Sequence, residues 1–344
     1  MTHLPPGAVL PSVDVVGRFP ELARTLPDEA VVFADPKVLR SHPRVAKALR
    51  GRVVHRVPAG EESKTLEAVE RFATKLVHVS RGATFVALGG GTVGDVVAVL
   101  AHLHRRGVRL VQVPSTLLAA VDSSIGGKGA VNVGPVKNAL GVFHGAAETW
   151  LCDELFGTLT EAQRREGRLE AWKMVVTLDA ATARRWLRRP PADEVLLREA
   201  RDLKEAVVRT DPYEQKGVRV VLNFGHTFGH VFESLSGYRL RHGEAVGLGM
   251  LCALDLGVRL GVTAPSVAAS IEAGLPMPRG ARVTIATLLR GASTSTVGGL
   301  LAADKKGAPG QVRMVLLEEL GRWRLVDVPA REWQACVKGP WRRA

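Results

Sequence analysis

Cysteine is scarce in this chain. Cys152, Cys252 and Cys336 lie far apart and form no C-x-x-C pair, which counts against a disulfide framework or a zinc knuckle and leaves three reduced, structural thiols as the expectation. Long apolar runs are missing as well: no stretch reaches the roughly 18 residues that span a bilayer. The opening "MTHLPPGAVLP" has neither a basic n-region nor an apolar h-region, so a cytoplasmic location with no membrane partner is expected. Aromatic residues are only 5% of the chain, with no aromatic-rich basic strand, recognition-helix pattern or zinc finger. A nucleic-acid partner is therefore not expected. Acidic residues are outnumbered 34 to 47 by Lys and Arg, a formal charge of +13, and the remaining use for that surplus is a cationic pocket for a small, multiply charged anion.

The 344 residues, 46% hydrophobic and 24% charged, suffice for two domains that each bury a core. In the first half, "AVVFADPKVL", "RVVHRVPAG", "ATFVALGGG" and "VRLVQVPST" read as strands. Helical patterns alternate with them, in "SKTLEAVERFATKLVHVS", with Ser63 as expected N-cap, and in "DVVAVLAHLHRRG". This alternation predicts an α/β, Rossmann-like domain over residues 1–155 with a parallel sheet covered on both faces. Beyond it strand-like runs become scarce, and helical patterns follow one another over 158–188, 192–210, 223–236, 242–261 and 264–273. A mainly helical domain over 156–344 is the expectation, with the default site in the crevice between the two.

Three features carry chemistry. The first is Gly89-x-Gly91-x-x-Gly94, at the end of a strand and the start of a helix, where backbone N–H groups and the positive helix end can hold a pyrophosphate. A Rossmann fingerprint expects an acid roughly 20 residues later for the ribose. None occurs between Asp95 and Asp122, so another residue, such as Asp35 or Glu61, must hold the ribose if a nucleotide binds. The second is "VDSSIGGKGAVNVGPVKNALG", which sets Asp122, Lys128, Lys137 and Asn138 among small residues and reads as a cationic, glycine-rich loop that an anion can approach closely. The third is "GHTFGH" with its surroundings. His226 and His230 are four apart and share a helical face, the spacing of a helical metal pair. His242 and Glu170 are further donors, with Lys173 one turn from Glu170. One carboxylate with two or three imidazoles suits a divalent ion with an open position. Spacing alone nominates His226 and His230 as the pair.

Together these pieces resemble the dehydroquinate synthase family of the sugar-phosphate cyclase superfamily. The resemblance is carried, in family order, by "PAGEESKTLE", "LGGGTVGDVVAVLAHLHRRGVRLVQVPSTLLAAVDSSIGGKGAVN", "KNALGVF", "EGRLEAWK", "RVVLNFGHTFGH", "HGEAV" and "DKKGAPGQVRMVLL". It implies nucleotide contacts at Asp35, Glu61, Lys64, Gly89, Gly90, Gly91, Asp95, Ser115, Thr116, Asp122, Lys137 and Thr158. It implies metal ligands at Glu170, His226 and His242, leaving His230 as a catalytic histidine beside the leaving phosphate. Lys128, Lys173, Arg106, Asn138 and Asp122 are implied as further catalytic groups, and Lys137, Lys204, Arg219, Asn223, Lys305 and Lys306 as substrate contacts. The implied cofactors are NAD+ and one divalent ion, Zn2+ or Co2+. The implied substrate is a small anionic sugar phosphate, and the implied assembly is a homodimer in which Arg106 reaches the neighbouring subunit's site.

The chain departs from the family pattern in "RLEAW", in "FHGAA", at Gln215, where an acid is common, and in a short stretch between Lys173 and Lys204. Two enzyme alternatives stand beside the resemblance. A related cyclase of secondary metabolism, such as an amino-dehydroquinate synthase, would share most of the motifs, although Lys204, Arg219 and Asn223 favour a carboxylated substrate. A metal-dependent polyol dehydrogenase would share the nucleotide turn, but the cluster of Lys and Arg argues against a neutral polyol.

Overall fold

The computed structural model describes residues 12–134, 136–304 and 311–338. Two compact units divide the chain: one runs to Arg164 and includes Lys204–Gln215, the other comprises Arg165–Leu203 and the chain from Lys216. No helix among the described residues is long and apolar enough to cross a membrane.

The first unit is built on six parallel strands: β1 (Val13–Val16), β2 (Val31–Ala34), β3 (Val53–Arg56), β4 (Thr84–Gly89), β5 (Arg109–Pro114) and, after the hairpin described below, β8 (Glu148–Leu151). Their order across the sheet is β1-β8-β5-β4-β2-β3. Every residue of β2 and β4 is buried, as β-branched and aromatic runs in a doubly covered sheet should be. Alternation along these strands feeds two cores. Val31, Phe33, Phe85 and Ala87 join Phe72 and Val96 on one face, while Val32, Ala34, Val86 and Leu88 join Phe19 and Trp150 on the other.

From β2 the chain moves outward to β3 and then returns to the other side of β2 for β4. The carboxyl ends of β2 and β4 therefore flank a topological switch point, the place where open α/β sheets bind ligands. Asp35 directly follows β2 and Gly89 ends β4, and the Asp35 amide donates to the Leu88 carbonyl at 2.9 Å. Between β5 and β8 the "cationic loop" is in fact an antiparallel hairpin, β6 (Lys128–Val133) with β7 (Val136–Phe143). The helix Leu66–Lys75 is capped by Thr65, whose hydroxyl accepts from Ala68 N, rather than by Ser63, which lies in a short 3-10 turn. Thr65 is the residue in extended conformation immediately before the first turn, which is what an N-cap requires.

The second unit is mainly helical. Its helices include Glu161–Leu178 from Arg165 onward, Ala180–Arg188, His226–Leu235, His242–Arg259, Pro265–Gly274, Ala281–Arg290, Thr294–Asp304 and Ala330–Lys338. The strands β9 (Gln311–Glu319) and β10 (Arg322–Pro329), an antiparallel hairpin, add to the helical pattern read from the sequence. Where the His226 and His242 helices cross, they touch backbone to backbone. A Cβ on Gly249 would lie 1.9 Å from the Gly225 carbonyl oxygen; where the His242 helix meets the Glu161–Leu178 helix, one on Gly243 would lie 2.5 Å from Glu166 Cα. Gly225 itself is left-handed at φ 81 and forms the N-cap of the His226 helix, a conformation open to glycine at little steric cost.

Alanine normally stabilises an exposed helix relative to glycine by up to about 1 kcal/mol, and Gly299, with open space around its Cβ position, is expected to follow that rule. Gly249→Ala is expected to do the reverse, by about 3 kcal/mol or more as the helices are forced apart. Urea unfolding of the two variants should move in opposite directions. Equal shifts would mean that the crossing is looser than described.

Candidate functional site

Glu170 lies in the middle of the Glu161–Leu178 helix and is fully buried. Lys173, one turn on and 1% exposed, forms an ion pair with Glu170 Oε2. The other oxygen, Oε1, is buried without a hydrogen-bond donor among the described residues. It lies 3.6 Å from His226 Nε2 and 3.6 Å from His242 Nε2. One ligand atom from each of the three residues falls within 4.8 Å of the others.

The ring nitrogens facing away from this point have acceptors. His226 Nδ1 is 3.4 Å from the Phe224 carbonyl oxygen and His242 Nδ1 is 3.3 Å from Glu233 Oε1, so each Nδ1 carries the hydrogen and each Nε2 presents a lone pair. Burial, reinforced by the charge of Lys173, holds His226 well below the usual imidazole range and therefore neutral. Both histidines are the first residues of their helices. Three lone-pair donors thus converge with no proton between them. A tetrahedral ion with bonds of about 2.1 Å separates its donors by roughly 3.4 Å, close to the spacing found here, so these residues fit a divalent metal.

The pair nominated by spacing alone is arranged differently. The His230 ring lies 5.6 Å from that of His226 and 6.3 Å from that of His242, centroid to centroid, beside the three-residue group rather than within it. Arg219, buried, and Asn223, half-buried, lie on the 3-10 turn Val218–Asn223 that precedes the His226 helix.

In the first unit, Gly90 is the N-cap of the helix Gly91–Leu103, so the glycine turn opens onto a helix N-terminus. A small pocket beside it is lined by Asp35, Lys37, His42, Ser115, Thr116, Thr158 and other residues. Asp35 Oδ1 accepts from Lys37 N at 2.8 Å. A second cavity, of about 470 Å³, is lined by Asp95, Lys128, Gly129, Asn138, Phe143 and their neighbours. Asp122 lies in a π-helical turn, Ala119–Ser123, a rare geometry that often marks functional sites.

Four lysines of this unit, Lys64, Lys128, Lys137 and Lys204, each lie beside an acid. Lys64 Nζ lies 2.5 Å from Asp95 Oδ2 and 2.5 Å from Asn138 Oδ1. Lys204 Nζ lies 2.5 Å from both the carbonyl oxygen and Oδ1 of Asp122. Lys137 is 3.9 Å from Glu61, and Lys128 is 2.5 Å from Glu214. Burial pushes the Asp95 carboxyl up to about 6, against the pull of Lys64. Arg106 is exposed, in a turn where Arg105 and Arg106 are both left-handed at φ 51 and 64. Lys305 and Lys306 lie outside the described residues.

Sequence reasoning missed Glu233, the acceptor behind His242, and Asn132. Asn132 donates to Glu61 Oε2 at 2.9 Å, and its Oδ1 accepts from the Asn138 amide at 2.9 Å. Asn132 stands between two valines in a stretch read as loop and signals nothing until the hairpin is known. Glu233 is seven residues after His226, two helical turns on, and that spacing could have found it.

Residues 54–166 match the family described as 3-dehydroquinate synthase N-terminal, and residues 168–307 match 3-dehydroquinate synthase C-terminal. The 3-dehydroquinate synthase of Pyrobaculum neutrophilum is 38% identical over 293 residues, 81% of this chain and 83% of that protein. That of Gloeobacter violaceus is 38% identical over 325 residues, covering 88% and 87%. Among solved structures, 2-epi-5-epi-valiolone synthase from Streptomyces hygroscopicus subsp. jinggangensis, with NAD+ and Zn2+ bound, superposes with a TM-score of 0.79 at 25% identity, covering 98% of each chain. A 2-deoxy-scyllo-inosose synthase complexed with carbaglucose-6-phosphate, NAD+ and Co2+ gives 0.80 at 23% identity, covering 94% and 96%, a likeness of fold.

Glu170→Gln and His242→Ala are each expected to lower bound zinc per chain at least tenfold, whereas His230→Ala keeps most of it; metal analysis after dialysis decides, and equal loss in all three would put His230 among the ligands. Asp95 has its own pH signature. Because its folded value of about 6 exceeds the ordinary 3.8, the group does not affect stability below about pH 4, where both states are protonated. Ionisation then costs stability as pH rises through 4 to 6, by up to about 1.4 kcal/mol per pH unit. Asp95→Asn should flatten the urea-midpoint profile between pH 4 and 6 and leave its shape above pH 7 unchanged.

Proposed function

The chain belongs to the 3-dehydroquinate synthase family, and on that premise we propose that it converts 3-deoxy-D-arabino-heptulosonate 7-phosphate into 3-dehydroquinate and phosphate, as a phosphate-eliminating cyclase of the shikimate pathway. The reaction comprises transient oxidation, elimination of phosphate, reduction, ring opening and an intramolecular aldol closure. The observation that carries the reading is the buried Glu170 Oε1, set equally between two imidazole Nε2 atoms and without a hydrogen-bond donor among the described residues.

When bound, NAD+ supplies a hydride acceptor that is regenerated, and a divalent ion, Zn2+ or Co2+, held by Glu170, His226 and His242 supplies Lewis acidity toward the substrate's hydroxyls. The protein's own groups do the rest. Lys173 holds Glu170 Oε2, which leaves Oε1 as the donor atom toward the ion. Glu233 and the Phe224 carbonyl keep the hydrogens of His242 and His226 on Nδ1. Asp35 and the amides at Gly90 and Gly91 bind the nucleotide's ribose and pyrophosphate, with Glu61, Lys64, Asp95, Ser115, Thr116 and Thr158 as further contacts.

Lys128, Lys137, Asn138, Lys204, Arg219 and Asn223 orient a substrate that carries both a carboxylate and a phosphate, and His230 donates a hydrogen bond to the leaving phosphate. Fixed cations of this kind favour the transition state because they need no reorganisation as charge develops. We further propose a cytoplasmic homodimer. Three free, buried cysteines suit a reducing compartment, and the exposure of Arg106 on a left-handed turn supports a role for it at a neighbouring subunit's site.

Purified enzyme loaded with zinc and NAD+ should release one phosphate per heptulosonate phosphate consumed, with no net NADH. Lys204→Ala should lower kcat/KM by about 10²- to 10³-fold, the range for loss of one preorganised charge contact. Stoichiometric NADH from a polyol, with no phosphate released from the heptulosonate, would replace this reading with that of a dehydrogenase.

A further inference from the structure

Within the first unit the cations proposed for anion binding already carry internal counter-charges, and those pairs differ in burial. The side chains of Lys64 and Asp95 are 7% and 18% exposed, and those of Lys204 and Asp122 are 7% and 28% exposed. Separating such pairs would strand a charge in a poorly solvated place and cost several kcal/mol. Lys128 and Glu214 are 50% and 38% exposed at 2.5 Å, a pair that water can replace at little cost.

Glu214 is also held in an unusual way. Its φ is 56, a left-handed conformation that a non-glycine residue adopts at some expense. The segment that carries it is anchored on both sides. Buried Asp211 accepts from Gln215 N at 2.8 Å, and Tyr213 packs edge-on against Phe143 of the hairpin at 5.6 Å. Phe143 and Lys128 line the same cavity as Asp95 and Asn138, so this strained turn sets a carboxylate directly on the cation of that cavity.

We infer that Glu214 is a built-in surrogate anion, a positioning and specificity-determining residue that holds Lys128 in place until an anionic group of the substrate displaces it. The inference rests on the placement of Lys128 in the substrate site proposed above. Because Lys128 is neutralised beforehand, an incoming group must outcompete a carboxylate. A dianionic phosphate does so where a neutral hydroxyl cannot, and the exchange therefore selects for charge.

Inorganic phosphate is the probe, titrated calorimetrically into enzyme loaded with zinc and NAD+. Glu214→Gln should tighten phosphate by about two- to fivefold, the range an exposed ion pair supplies, and lower KM for the sugar phosphate more than it alters kcat. Glu214→Asp should restore wild-type behaviour in part. In a Lys128→Ala background, where phosphate is already weakened, Glu214→Gln should change nothing further. If Lys128→Ala weakens phosphate but Glu214→Gln leaves it unchanged, or acts equally with and without Lys128, the surrogate role is overturned while the site assignment stands. If Lys128→Ala has no effect on phosphate, the placement of Lys128 falls, and the exchange with it.

Discussion

The second unit depends on helices that touch at backbone distance. Gly243 lies against Glu166, one turn before Glu170, and Gly249 lies against Gly225, the cap of the His226 helix. Side chains at these positions would separate the helices by the width of a methyl group or more. The imidazoles would then no longer meet Glu170 Oε1. Close packing of this kind is unforgiving because an interior at crystal-like density has no slack to absorb a methyl. Gly225, Gly243 and Gly249 are thus as much a part of the candidate metal centre as its histidines, although a glycine side chain has no ligand to give.

Charge compensation is the second organising constraint. Buried ionic groups persist only when paired, and Lys64, Lys173 and Lys204 each have a carboxylate within reach. These three buried ammonium groups are therefore not naked charges in the interior. Pairing leaves each site lysine ordered, and a gradient of exposure separates pairs that are structural from one that can open.

Much of this was legible in the sequence. Buried, β-branched runs ending in Asp35 and Gly89 identified β2 and β4, and their positions beside the sheet's switch point follow from the order of the strands. The segment 128–143 was less legible, because glycines and lysines mask the alternation of a two-stranded ribbon, and the pairing that reveals it is non-local. Thr65 was passed over for Ser63 because two hydroxyl residues stand two apart, and only the backbone tells which is extended. Spacing favoured His226 with His230, since a single helix can be read from periodicity alone. The candidate trio of Glu170, His226 and His242 joins three helices, and glycines make the close contacts between those helices, which leave no hydrophobic signature.

The pairing of β1 with β8 has a consequence for how the protein is made. Val13 faces Glu148 across the ladder, 135 positions away, and Ser12 and Thr149 share a hydroxyl contact at 2.8 Å. On a ribosome that adds residues one at a time, this strand emerges long before β8, its sheet neighbour among the described residues, exists. Such a long loop must close before the pairing is rewarded, so β1 should be among the last strands to dock. Until then β8 is the provisional edge of the nascent sheet, and the interval between the two events is when this chain is most open to a chaperone or to a wrong strand.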